Sequence, residues 1–141
     1  MGLSLEQARG IIQAALAAGR ARDMRPLSVA VLDAGGHPIA FEREDGAPPG
    51  RFAIAQGKAF GAAMTGMGGR KQMSRAEAQP YFMAALNGVY GGQMVPVPGG
   101  VLVRDETGAI IGAVGVTGDT SDNDAAVALA GIAAVGLVGE D

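Results

Sequence analysis

The residues able to do chemistry in this 141-residue chain are few. One histidine is present, His37, at the end of the run Asp33-Ala34-Gly35-Gly36-His37. An imidazole held at a turn can ligate iron or move a proton near neutrality, and it is also an ordinary surface turn residue. Lys58 interrupts the apolar stripe Phe52, Ala55, Ala59 and Ala62, where an ammonium can hold a carboxylate. Met64, Met67, Met73, Met83 and Met94 gather in the middle third. Flexible thioethers line flat apolar ligands or supply an axial ligand, and they also fill gaps in a glycine-rich core. Tyr81 and Tyr90 are acid–base candidates or packing residues, and Arg104 is a second carboxylate-holding candidate.

Several chemistries are excluded. There is no Gly-x-Ser-x-Gly elbow for a serine nucleophile, no phosphate loop, and no dinucleotide fingerprint around Gly35-Gly36 or Gly99-Gly100. A single histidine does not make a histidine-based zinc site, and the absence of cysteine removes thiolate ligands and nucleophiles. Formal charge is −3, and the basic residues are dispersed except for Arg20, Arg22 and Arg25, so nucleic acid is not an expected partner. No apolar run reaches membrane-spanning length, and Met1 leads directly into a capped helix without a signal segment. These features lead to the expectation of a cytoplasmic protein that does not engage membranes.

The elements that must position these residues follow from periodicity. Ser4 and Gln7 form a capping box for a helix with Leu5, Ala8, Ile12, Ala15 and Leu16 on one face, and Gly19 is placed to end it. Leu27 to Asp33 and Pro38 to Glu44 read as a hairpin with His37 at its end; Ile39 and Phe41 share a face. Residues 51 to 64 read as a helix. Ser74 and Glu77 open a short helix that Pro80 ends or kinks, and Tyr81 to Leu86 resume it. Residues 88 to 98 read as a surface loop with a short strand at 93 to 97.

From Gly99 to Thr117 the pattern is a second hairpin turning near Gly108. Alternation puts Ile110, Gly112, Val114 and Val116 on one face and Ile111, Ala113, Gly115 and Thr117 on the other. Gly112 and Gly115 mark close approach, either by a packed backbone or by a ligand. Ser121 with Asp124 fits a capping box for a final helix, from about Asp122 to Val138, that is apolar on most sides. Hairpin connections with intervening helices define an α+β fold in one domain over residues 1–141, an antiparallel sheet of about five strands flanked by helices. With 24 glycines, no tryptophan and 48% hydrophobic residues, close packing of small residues and burial between subunits are expected, hence a homo-oligomer.

Asp33-Ala34-Gly35-Gly36-His37, Lys58-Ala59, Gly99-Gly100-Val101 and the run Gly108 to Gly118 with Asp124 downstream resemble the GlcG/HbpS haem-binding-protein family, which also occurs as the C-terminal domain of PduO-type proteins. The resemblance spans the chain from Leu5 onward. It implies a profilin-like fold, assembly into dimers or larger oligomers, and haem as a cofactor, bound in PduO-type domains through a histidine that maps onto His37. It makes His37 the candidate metal ligand and His37, Lys58, Gly100 and Thr117 the candidate cofactor-binding positions. Leu102, where relatives often carry proline, and the glycine-rich basic stretch from Met64 to Arg70 depart from the family pattern.

Three readings follow. In the first the protein binds haem or a related tetrapyrrole in a sensing, storage or accessory role, with Lys58 or an arginine near the propionates. In the second it is a small catabolic enzyme acting on an organic acid or its enol, an isomerase, hydrolase or lyase, with His37 and Lys58 as catalytic candidates: His37 as acid–base and Lys58 or Arg104 holding the carboxylate. In the third it is a non-catalytic oligomeric accessory protein.

Overall fold

The structure, a computed structural model, describes residues 2–141. Its elements run α1 (Leu5–Ala21), β1 (Ser28–Asp33), β2 (Pro38–Arg43), α2 (Arg51–Thr65), α3 (Gly69–Ala78), α4 (Pro80–Val89), β3 (Gly100–Arg104), β4 (Ile110–Thr117), α5 (Ser121–Ala134) and β5 (Val138–Glu140). The strands form one antiparallel sheet in the order β2-β1-β4-β3-β5, the α+β arrangement expected.

The two faces of the sheet are covered differently. Val29, Val31, Val101, Val103, Val114 and Val116 point toward α1 and α5, where Ala8, Ile11, Ile12, Val127 and Ile132 complete a wholly apolar core. Alternation sends Leu32, Leu102 and Ala113 to the opposite face, against Ala59 and Ala62 of α2. Here the contact is backbone to backbone. A side chain at Gly115 would collide with the carbonyl of Ala55, and one at Gly100 with that of Lys58. The glycines of the central hairpin therefore serve helix-on-sheet packing, which lets α2 lie directly on β3 and β4.

Both hairpins contain an irregularity that alternation alone does not reveal. The register of β1 and β2 shifts between Val31 and Leu32, so Ala40 faces Val31 and Pro38 faces Leu32. Ile39 and Ala40 then pack with the α1/α5 core, while Phe41 turns to the other side and meets the Phe52 ring edge-on at 4.7 Å. The shared face expected for Ile39 and Phe41 is thus corrected. A second shift between Val103 and Arg104 exchanges the faces expected for Ile110 and Ile111. An extra residue in one strand inverts the alternation beyond it.

Helix boundaries moved where tertiary contacts override local signals. The Ser4–Gln7 capping box forms as read, but α1 passes through Gly19 to Ala21 before Asp23 turns with φ 54°. Gly19 is buried in the last turn, and the Leu27 side chain occupies the space its Cβ would need. α3 starts at Gly69, five residues before Ser74, because Gly69 fits beneath the Val97 carbonyl. Pro80 opens α4, where its missing N–H is harmless. Residues 93 to 97 form no strand; they close over α2, with the Val95 amide donating to the Gly57 carbonyl at 3.2 Å. The cap of α5 is Thr120, whose hydroxyl accepts from the Asn123 amide. That helix ends at Ala134, short of the Val138 expected, Gly136 turns with φ 78°, and β5, which the sequence pattern does not show, adds a fifth strand beside β3.

Candidate functional site

The Asp33-Ala34-Gly35-Gly36-His37 turn is built by its own first residue. Asp33 Oδ1 accepts from the amides of Gly35 and His37, both at 2.9 Å, and Gly36 supplies a φ of 83°. These amides, His37's foremost, hold the Asp33 carboxyl below its ordinary pKa against a smaller opposing effect of burial. The same oxygen lies 3.3 Å from His37 Nδ1. Nδ1 therefore faces the carboxylate, and the imidazole side chain is 79% exposed. The turn rests on α2: a side chain at Gly36 would meet Met64 Cε and the ring of Phe60. Phe60 in turn meets Tyr90 edge-on at 6.3 Å, so half-buried side chains lie beneath the turn that carries the imidazole.

Lys58 sits at the other end of the same helix-on-sheet contact. Its Nζ donates to the Val116 carbonyl at 3.0 Å and pairs with Asp124 Oδ2 at 3.2 Å. The two side chains are 4% and 1% exposed. Burial pushes the Lys58 ammonium down and the Asp124 carboxyl up, and each partner's opposite charge counters that effect. Asp124 Oδ1 also accepts from the Asp119 amide at 3.0 Å, so α5 is locked to the strand exit and to α2 by one carboxylate. This departs from the capping box expected for Ser121 and Asp124. Gly99 gives the lysine stem its room, since a side chain there would strike Lys58 Nζ and Cδ, and Gly100 admits the Lys58 backbone. Thr117 is buried alongside, its hydroxyl accepting from Arg51 Nη1 at 3.0 Å.

The four candidate positions thus fall into two groups. Lys58, Gly100 and Thr117 come together around the ends of β3 and β4. His37 stands apart: Asp33 pairs with Gly112, whereas Ser28 pairs with Thr117, five residues and roughly 17 Å along the strand. Arg104 is engaged elsewhere, bonding Glu140 Oε2 at 2.7 Å and the Gly108 carbonyl at 2.8 Å. Met83 and Met94 are buried against the groove between α4 and the 93–97 segment, and Met64 lies under the His37 turn. No group of three or more potential metal-binding His, Asp or Glu side chains occurs among the described residues.

Two contributors escaped the sequence reading. Asp33 reads in the sequence as the end of a strand and the first residue of the family motif, although an acidic side chain four positions before a lone histidine in a glycine turn is a detectable signal. Asp124 was read as a cap; that a lysine inside an apolar helical stripe needs a buried carboxylate was a signal without an address.

The model for the family described as haem degrading protein HbpS-like matches residues 3–133. A double mutant of HbpS from Streptomyces reticuli is 30% identical over 94% of this chain and 86% of its own, with a TM-score of 0.80. The protein ORFY from Klebsiella pneumoniae is 24% identical over 96% and 92%, with a TM-score of 0.83. A PduOC:heme complex superposes with a TM-score of 0.87 at 22% identity over the full length of both chains. Among curated proteins none matches this chain.

Proposed function

Because the chain belongs to the HbpS-like family, we propose that it binds haem or a closely related tetrapyrrole, in a sensing, storage or accessory role, with His37 as the iron ligand. The observation that carries this reading is the state of the imidazole: Nδ1 is 3.3 Å from a carboxylate on a side chain that is 79% exposed. A carboxylate behind a histidine fixes the ring and raises its basicity as a ligand. The apolar side chains beside the turn, Phe60, Met64 and Tyr90, suit the face of a flat macrocycle. Bound haem would supply an iron centre with an open or exchangeable site. The chain's own part is to orient the donor nitrogen and shield one face from water.

In this reading Lys58, Gly100 and Thr117 build the frame that carries α2, and through α2 the surface under His37. The enzyme reading that joins His37 and Lys58 on one substrate finds less support. The ammonium is buried, and its bonds are made within the chain.

Titration of the purified protein with haemin, followed at the Soret band, tests the proposal. Saturable one-to-one binding that His37→Ala abolishes or spectrally alters is the expected result. Unaltered binding by the variant refutes the ligand assignment, and the absence of saturable binding refutes the haem reading.

A further inference from the structure

The first turn of α2 presents a cation where helix physics favours an anion. Gly50 caps the helix without a side-chain bond, no acidic residue stands in its first turn, and Arg51 opens it. That end carries the positive pole of the backbone dipole, so a guanidinium there is disfavoured on its own. Arg51 forms no ion pair among the described residues; its side chain's one hydrogen bond runs from Nη1 to the Thr117 hydroxyl at 3.0 Å. Its charge also reaches Lys58, whose ammonium it helps to push down. Two cations therefore share the single carboxylate of Asp124, which already bonds Lys58.

Two buried hydroxyls belong to the same corner. Ser28 and Thr117 pair directly across β1 and β4, and since Val29 and Val116 point to the α1/α5 core, both hydroxyl-bearing residues face α2. Directly opposite residues hold their Cβ atoms about 5 Å apart. Ser28 is 0% exposed and Thr117 1%. The Thr117 oxygen accepts from Arg51, which leaves its proton to donate, and Ser28 Oγ has no hydrogen-bond partner among the described residues. A buried hydroxyl left unpaired is costly, and it calls for an acceptor.

We propose that Arg51, Thr117 and Ser28 form a binding site for the carboxylate of a small organic acid. The inference is independent of haem binding, since Ser28 and Thr117 stand five residues and roughly 17 Å along the sheet from Asp33 and the His37 turn. A carboxylate supplies what this corner lacks. Its planar pair of oxygens matches the fork of a guanidinium, it accepts the protons of both hydroxyls, and its charge faces the positive helix end. Arg51 is half-buried and tied only to a hydroxyl, so its guanidinium can turn outward to admit the anion and close over it. One unpaired positive charge matches a monocarboxylate better than a doubly charged sulfate or phosphate. Phe52, 40% exposed and braced edge-on by Phe41 at 4.7 Å, offers a ring to an apolar body attached to that carboxylate.

Benzoate is the probe, measured by isothermal titration calorimetry on the full-length protein at fixed ionic strength in a carboxylate-free buffer, beside its neutral isostere benzamide and beside sulfate. The expected result is saturable one-to-one binding of benzoate, weakened about tenfold or more in Arg51→Gln and in Ser28→Ala, and retained in His37→Ala. Ser28→Ala is the sharper variant. Deleting an unpartnered hydroxyl removes no bond from the fold, so thermal stability should hold or rise while benzoate affinity falls. Arg51→Lys keeps the charge without the fork; it repeats the test should Arg51→Gln fail to fold, and it too should bind more weakly. A wild type without saturable benzoate binding overturns the proposal, as do equal affinities for benzamide or sulfate. Benzoate affinity that either Ser28→Ala or the Arg51 variant leaves unchanged overturns it as well, and so does its loss in folded His37→Ala.

Discussion

Replacing Asp124 with asparagine tests the internal logic of the fold at one atom pair. The substitution keeps size but turns one of the two accepting oxygens into a donor and removes the charge opposite Lys58 Nζ, 3.2 Å away in a contact whose side chains are 4% and 1% exposed. At that distance and an effective dielectric constant of about 20, the attraction is about 5 kcal/mol. Water cannot replace the lost partner without parting α2 from the sheet, where Gly100 and Gly115 leave no slack. The ammonium would be left with the Val116 carbonyl alone, and breaking one side of a buried pair typically costs about 3–5 kcal/mol. For a chain of this length that lowers Tm by about 10–20 °C. Urea denaturation followed by far-ultraviolet circular dichroism, with the slope compared between variants, provides the measurement. The companion is Lys58→Met combined with Asp124→Leu, which removes both charges and should recover most of the loss, short of the Asp119 amide bond. An Asp124→Asn cost below about 1 kcal/mol, or a double variant no more stable than the single one, would refute the reasoning.

The remaining predictions concern packing, pH and the imidazole. Gly115→Ala forces the Ala55 carbonyl away from β4 and should cost about 3 kcal/mol, read in the same denaturation assay. Asp119 accepts from the Asn123 side chain, then from the amides of Thr120 and Arg25, and these bonds hold its carboxyl far below the usual value of 3.8. A depressed folded-state pKa contributes stability that is complete above about pH 4 and is lost as pH falls toward the folded-state value. Stability measured between pH 6 and 2.5 should therefore decline below pH 4, and less steeply in Asp119→Asn. Asp33→Asn should weaken haemin binding by about 10- to 100-fold, because the carboxylate behind the ligand nitrogen is removed. An unchanged affinity in a folded Asp33→Asn protein would place the ligand elsewhere.

Much of the architecture was legible because local rules and tertiary packing agree. The Ser4–Gln7 box, the two hairpins, and Pro38 at the start of an edge strand all follow from short-range chemistry. Even so, one inserted residue in each hairpin reversed the faces of Ile39 and of Ile110 and Ile111. Nothing in the alternating hydrophobicity of those runs distinguishes a bulge from regular pairing. α3 began early because Gly69 has a place under the Val97 carbonyl, a contact made by residues 28 positions apart.

What the sequence by itself determined is the four strands of the two hairpins and the helices around them, the antiparallel class of the sheet, and the identity of the chemically capable groups, though not β5; these depend on residue type and on spacing within a few positions. The motif around His37 also carries its own geometry, since Asp33, Gly35 and Gly36 lie within four residues of it and make the turn that orients the ring. The roles of Lys58 and Asp124 were decided only by tertiary structure. They are 66 residues apart, and only the docking of α2 and α5 on opposite faces of the sheet brings an ammonium and a carboxylate into the same dry space at its end. Burial turned a candidate substrate-binding lysine into an internal clamp. A lysine's position in a helical stripe states that it will be desolvated, but only the fold states by what.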